Sequence, residues 1–212
     1  MFELSLLQKI AISIIPILFA ITVHEVAHGW VANMLGDPTA KMMGRLTLNP
    51  LKHIDPVGTI LVPGILLLLG GFIFGWAKPV PITWQNLHHP RRDVALVSIA
   101  GPLSNLIMAC IWAVLFKVAL NFNPQPMNYA FALATMSQIG IMINVVLMVL
   151  NLIPIPPLDG SRVLASFLPR KAAYQYERIE PYGFYILIAL LATGALGLIM
   201  EPFVNFFINL FL

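Results

Sequence analysis

Residues 6–35, LLQKIAISIIPILFAITVHEVAHGWVANML, decide how this chain is read. The run is long enough to cross a bilayer, which takes about 20 apolar residues. Gly36-Asp37-Pro38 closes it. Inside it stand His24, Glu25 and His28. Ionisable groups at membrane depth are costly and are usually kept for function. On a helix, positions i and i+4 share a face, with β-carbons about 5–6 Å apart. Two imidazoles so placed can grip one Zn2+ at about 2.0–2.1 Å. Glu25, one residue off that face, points beside the metal, where a carboxylate can act as base toward a metal-activated water. The run lacks the basic start and small-residue cleavage site of a signal peptide and carries HEVAH, so it is expected to stay in the mature protein.

The rest of the chain extends the same pattern. Of 212 residues, 59% are hydrophobic and 10% charged, against roughly 25% charged in a soluble domain. The expected fold is an all-α polytopic membrane protein with about four full transmembrane helices. Those spans are read at about 6–35, 93–120, 129–152 and 181–200, the last ended by Glu201-Pro202. Residues 154–180 read as a loop. Two short β-hairpin or edge segments are expected. Gly44 to Pro50 alternates and ends in a turn signal, and residues 76–83 hold Pro79 and Pro81, which suit an edge. The run 57–75, broken by Pro63, Gly64, Gly70 and Gly71, reads as a re-entrant or partial element. No linker or charge block divides the chain, so residues 1–212 are expected to form a single membrane domain.

Charge fixes an expected orientation. The net charge is +3, and the twelve Lys and Arg residues are scattered over several loops, which argues against nucleic acid as a partner. Lys and Arg gather in short cytoplasmic loops. Loops 36–56, 76–93 and 154–180 carry them and loop 121–128 carries none. The expectation is a multi-pass protein of the cell membrane, its N-terminus outside and its site toward the cytoplasmic side.

A catalytic zinc takes three protein ligands and keeps an open position. Asp159 is the best third candidate: it follows a helix stopped by Pro154, Pro156 and Pro157, and Gly160 comes next. His28 lies seven residues before the end of the first run, about 10 Å of helix, so Asp159 would have to fold back toward the bilayer. Glu177 and Glu180 compete as ligands, but their neighbours Lys171 and Arg178 suggest a solvated loop. His53 reads as a turn residue beside Asp55, and His88 and His89 as interfacial loop residues. Asn105 and Asn151 are candidates for substrate binding or for holding an oxyanion. Asn144 reads as an interhelical hydrogen-bonding residue.

HEVAH in an early transmembrane helix, with NLIPIPPLDG (residues 151–160) closing a later one, resembles the site-2 proteases, the M50 family of intramembrane zinc metalloproteases. GRLTLNP (44–50), HIDPVG (53–58) and AGPLSN (100–105) are similar to its compact bacterial branch, without PDZ or CBS insertions. The resemblance implies one Zn2+ per chain at His24, His28 and Asp159, with Glu25 as catalytic acid/base. It implies hydrolysis of peptide bonds in or near transmembrane segments of membrane protein substrates. Partners are then such substrates and the lipid bilayer; the oligomeric state is not encoded in any motif. The alternative is a non-proteolytic zinc-binding membrane protein or transporter. A transporter lines a path with acids or histidines on successive helices, and runs 93–120 and 181–200 hold no histidine and no acid beyond Asp93.

Overall fold

The computed structural model describes residues 6–61, 65, 78–125 and 128–212. Most of the expected re-entrant run 57–75 lies outside the described residues, as do Trp76 and Ala77 of the expected edge segment. The chain is helical: α1 (Leu6–Met34), α2 (Thr39–Met42), α3 (Pro90–Asn121), α4 (Tyr129–Leu152), α5 (Asp159–Phe167), α6 (Arg170–Glu177), α7 (Glu180–Ala192) and α8 (Ala195–Phe211). Ile10–Met34, Pro90–Asn121 and Tyr129–Leu152 are each long and apolar enough to cross a membrane, and α7 with α8 makes a fourth span if the bent pair counts as one. This is an all-α, multi-pass membrane fold.

The two faces of α3 show how such a helix sorts its residues. Leu103, Ile107, Ile111, Val114 and Val118, at i+3 and i+4 steps, are exposed. Ser98, Gly101, Asn105, Ala109, Trp112 and Phe116, at the same steps, are buried. The apolar stripe faces outward and the polar groups face inward, as a lipid solvent requires. Trp112 and Phe116 pack with Ile141, Val145 and Met148 of α4, and Phe211 of α8 closes that core. α1 lies against both α3 and α4, and α5 lies on α3. Asn128 caps α4 by accepting the Phe131 N–H at 2.8 Å. Proline, with no N–H to donate, marks the chain just beyond its other end.

Three expectations are corrected. Residues 154–180 are mainly two short helices, α5 and α6, rather than loop. The last span breaks at Gly194, not at Glu201-Pro202: Gly194 takes the left-handed conformation (φ 76°) and α7 and α8 meet at 80°. The Thr193 hydroxyl adds a bond to Ala189 O at 2.9 Å, closing the end of α7. α8 runs on through Pro202. Finally, Gly44 to Pro50 forms no strand. Its backbone is spent locally: Arg45 N–H bonds Ala40 O at 2.9 Å, and the Asn49 side chain accepts from Leu51 N–H at 3.1 Å.

Candidate metal centre

Helix α1 carries His24 and His28 on one buried face. Helix α3 approaches that face closely because it presents Gly101 there. A Cβ at position 101 would overlap His28 Nε2 and stand 2.6 Å from His24 Cε1. Helix α5 enters from the third side. Gly160 lets its first turn press against the end of α4, since a Cβ there would strike the Leu152 carbonyl. That contact delivers Asp159, the first residue of α5, to the two histidines.

The outer nitrogens of both rings are committed. His24 Nδ1 meets Asn105 Oδ1 at 2.6 Å. The Asn105 amide nitrogen donates to Ala20 O at 3.2 Å and to Asn144 Oδ1 at 2.9 Å, so its oxygen is the atom turned to His24. His28 Nδ1 meets Val97 O at 2.7 Å. A carbonyl can only accept, so each Nδ1 is the protonated nitrogen, and in a neutral ring each Nε2 then carries a lone pair.

Those lone pairs converge. His24 Nε2 and His28 Nε2 stand 3.0 Å apart, and Asp159 Oδ2 is 3.3 Å from each. Asp159 Oδ2 is buried and has no hydrogen-bond partner. Three electron-rich atoms this close repel one another unless a cation lies among them. A tetrahedral zinc with ligands at about 2.0–2.1 Å separates its donors by about 3.3 Å, which matches the observed spacings. Two imidazoles and one carboxylate also fit the donor chemistry of catalytic zinc, with a position left open. Among the described residues, the group of His, Cys, Asp and Glu side chains able to hold a metal is His24, His28 and Asp159.

The comparison with known proteins decides the family. The model of "Peptidase family M50" matches residues 12–138 and 124–194. The chain belongs to peptidase family M50. It is 41% identical over 206 residues to "Putative zinc metalloprotease YwhC" of Bacillus subtilis, covering 96% of this chain and 89% of that protein. It is 32% identical over 181 residues to "Putative zinc metalloprotease Rip2" of Mycolicibacterium smegmatis, covering 85% and 66%. "Zinc metalloprotease MJ0392" of Methanocaldococcus jannaschii is 22% identical over 165 residues, covering 77% of this chain and 36% of that protein. No solved structure shows a significant match. Family and relatives together make this chain a zinc metalloprotease of the M50 type.

In this M50 chain Glu25 stands beside the cluster, and its Oε2 accepts the Val80 N–H at 2.7 Å. Val80 belongs to a strap, Lys78 to Thr83, that is tied down along its length. Lys78 N–H bonds His53 O at 3.0 Å. The buried Arg45 guanidinium holds Lys78 O at 2.9 Å and Pro79 O at 3.3 Å. Thr83 N–H bonds Asp37 Oδ2 at 2.8 Å. Asp37, fully buried, also accepts from Thr39 and Asn86. Burial alone would raise its pKa, but these bonds from Thr39, Asn86 and Thr83 outweigh it and hold the carboxyl below the usual range. The strap does not read as a free sheet edge. Its N–H groups at 78, 80 and 83 are engaged, and Pro79 and Pro81 have none.

Of the remaining sequence candidates, Asn105 touches the cluster through His24. Asn105 is fully buried and bonds His24, Ala20 and Asn144. Asn144 passes the chain on to Gly140 O at 2.8 Å. Asn151 bonds back to Leu147 O of its own helix at 2.9 Å. His53 is buried, its Nε2 on Thr47 O at 2.9 Å. His89 is exposed beside Asp93. Glu177 is exposed, and Glu180 pairs with Arg162 at 3.0 Å. Sequence reading assigned no role at the site to Val97 O, Gly101, Arg45 or the Val80 N–H, and noted Gly160 without its packing role. AGPLSN and the Gly of LDG were the available signals; a main-chain N–H or carbonyl leaves none.

Proposed function

We propose that this protein is an intramembrane endopeptidase, hydrolysing peptide bonds in or near the transmembrane segments of other membrane proteins. One observation carries the reading: three convergent lone-pair donors and a neighbouring glutamate occur on and around a helix apolar enough to span a bilayer. His24, His28 and Asp159 would hold one Zn2+ per chain. When bound, the zinc supplies a Lewis acid and an acidified water with a pKa near about 7.

The chain's own groups do the rest. Asn105 Oδ1 and Val97 O fix both imidazoles with Nε2 as the donor atom. The Val80 N–H anchors Glu25 by Oε2, and the proton given up by water as its oxygen bonds the peptide carbonyl carbon would be taken up at the other oxygen, Oε1. Glu25 then returns that proton to the leaving amide nitrogen. A helical substrate hides its amides in i→i−4 bonds and must unwind locally before it is cut. The basic loops support a site that faces the cytoplasmic side of the cell membrane.

The test is Glu25→Gln, which keeps the size of the side chain and removes its base. Purified wild type and variant are compared on a panel of single-span substrates in lipid vesicles, with zinc content measured alongside. The expected result is retained zinc and no cleavage. Cleavage at the wild-type rate would overturn the role given to Glu25.

A further inference from the structure

A cavity of about 430 Å3, whose lining includes none of His24, Glu25, His28 and Asp159, lies where the start of α3 and helix α6 meet α5 and the beginning of α7. Its size falls in the range of small-ligand sites. Its lining is rich in guanidinium groups. Arg91 comes from the first turn of α3, Arg162 from α5 and Arg170 from the first residue of α6. Arg162 spends part of its charge on Glu180 at 3.0 Å and stacks over the Trp84 ring at 4.9 Å. Arg91 lends one N–H to Leu168 O. The Arg170 guanidinium has no ion-pair or hydrogen-bond partner among the described residues, and Glu177 is the second acid in the lining. With Glu180 neutralised, two guanidiniums face one carboxylate, and each Arg offers five N–H donors in a fixed fork.

The cavity's level in the bilayer narrows the ligand. α3 is a membrane span that begins at Pro90, so Arg91 lies at the headgroup end of a helix. Trp84, Tyr174 and Tyr176 also line the cavity, and Trp and Tyr gather at the membrane–water boundary. Tyr174 of the lining is 66% exposed, and Phe167, which follows the lining residue Ser166 in the chain, is 79% exposed, giving acyl chains an apolar surface next to the charge. Basic pockets between helices at this level suit anionic phospholipid headgroups.

We propose that this cavity binds the phosphodiester headgroup of an anionic phospholipid, with Arg91 and Arg170 as its charge-bearing contacts and Arg162 on Trp84 as its floor. The shared chemistry with a soluble phosphate is the fork of N–H donors on phosphate oxygens. The apolar rim is what selects a lipid.

The full-length protein, stripped of lipid in neutral detergent, is titrated with short-chain phosphatidylglycerol or phosphatidylcholine, and bound lipid is counted by native mass spectrometry. Wild type should hold one phosphatidylglycerol at least tenfold more tightly than phosphatidylcholine. The double variant Arg91→Gln, Arg170→Gln should lose that preference. Arg92→Gln with Lys171→Gln removes the same charge just outside the cavity and should keep it. Both parent arginines are exposed, so the fold should survive; retained zinc and helical content check this. Loss of the preference in the outside variant overturns the site, because charge alone would then explain binding. Glycerol phosphate displacing the lipid at equal concentration overturns the lipid assignment, as does equal binding of the two lipids by wild type.

Discussion

Replacing Gly101 with Ala tests whether the closeness of α3 to α1 builds the metal site. The added Cβ would overlap His28 Nε2 and lie 2.6 Å from both His24 Cε1 and His28 Cε1. Carbon atoms rest about 3.5–4.0 Å apart, so rings or helices must shift by about 1 Å. A metal site tolerates about 0.2 Å in its ligand distances, so the shift is several times too large to absorb in place. Overpacking of this kind costs about 1–3 kcal/mol, and at about 1.4 kcal/mol per tenfold zinc affinity should fall roughly 5- to 150-fold. Competition against a fluorescent zinc chelator, in detergent, reads the affinity directly. Gly197→Ala in α8 is the matched control, since its Cβ would meet nothing within 4 Å. Unchanged zinc affinity in Gly101→Ala would refute the claim that this contact sets the histidine geometry.

Other expectations follow from the same contacts. Asn105→Ala removes the acceptor on His24 Nδ1 and should lower zinc affinity by about 10–100-fold, as loss of a group that orients a ligand does; Asn105→Asp, which keeps an acceptor, should recover part of it in the same competition assay. Asp37, outside the spans, has a lowered pKa. A lowered folded-state pKa means its contribution is full above the ordinary carboxylate range and is lost as pH falls through the folded value. Limited proteolysis of residues 36–45 and 83–89 should therefore accelerate in acid for wild type, whereas Asp37→Asn should be cleaved faster at neutral pH and show a flatter pH profile.

Much of the site was legible because it follows helix arithmetic. The i, i+4 spacing put His24 and His28 on one face, and the prolines before Asp159 announced a helix stopped short. The position of Asp159 on a helix was not legible. α5 is nine residues long, too short for a search tuned to bilayer-length apolar runs, and its buried Ser161 and Ala165 sit among charged neighbours. The bend at Gly194 was hidden because apolar residues continue on both sides, and only the left-handed φ marks the break. The alternation at Gly44 to Asn49 suggested a strand, but a strand needs a partner, and this backbone bonds locally instead. Asn105 is read from the sequence as a candidate for substrate binding or for holding an oxyanion. Its bond to His24 joins residues 81 positions apart, a distance that no local pattern encodes. The Val80 amide on Glu25 could not be read from any side chain.

In the proposed site, Asp159 completes the zinc-binding set with His24 and His28. Its most direct test is zinc per chain in purified wild type and Asp159→Ala, measured by atomic emission after equilibration with a weak chelator. One zinc per chain is expected in wild type and little or none in the variant. Equal zinc in both would contradict it and move the third ligand elsewhere.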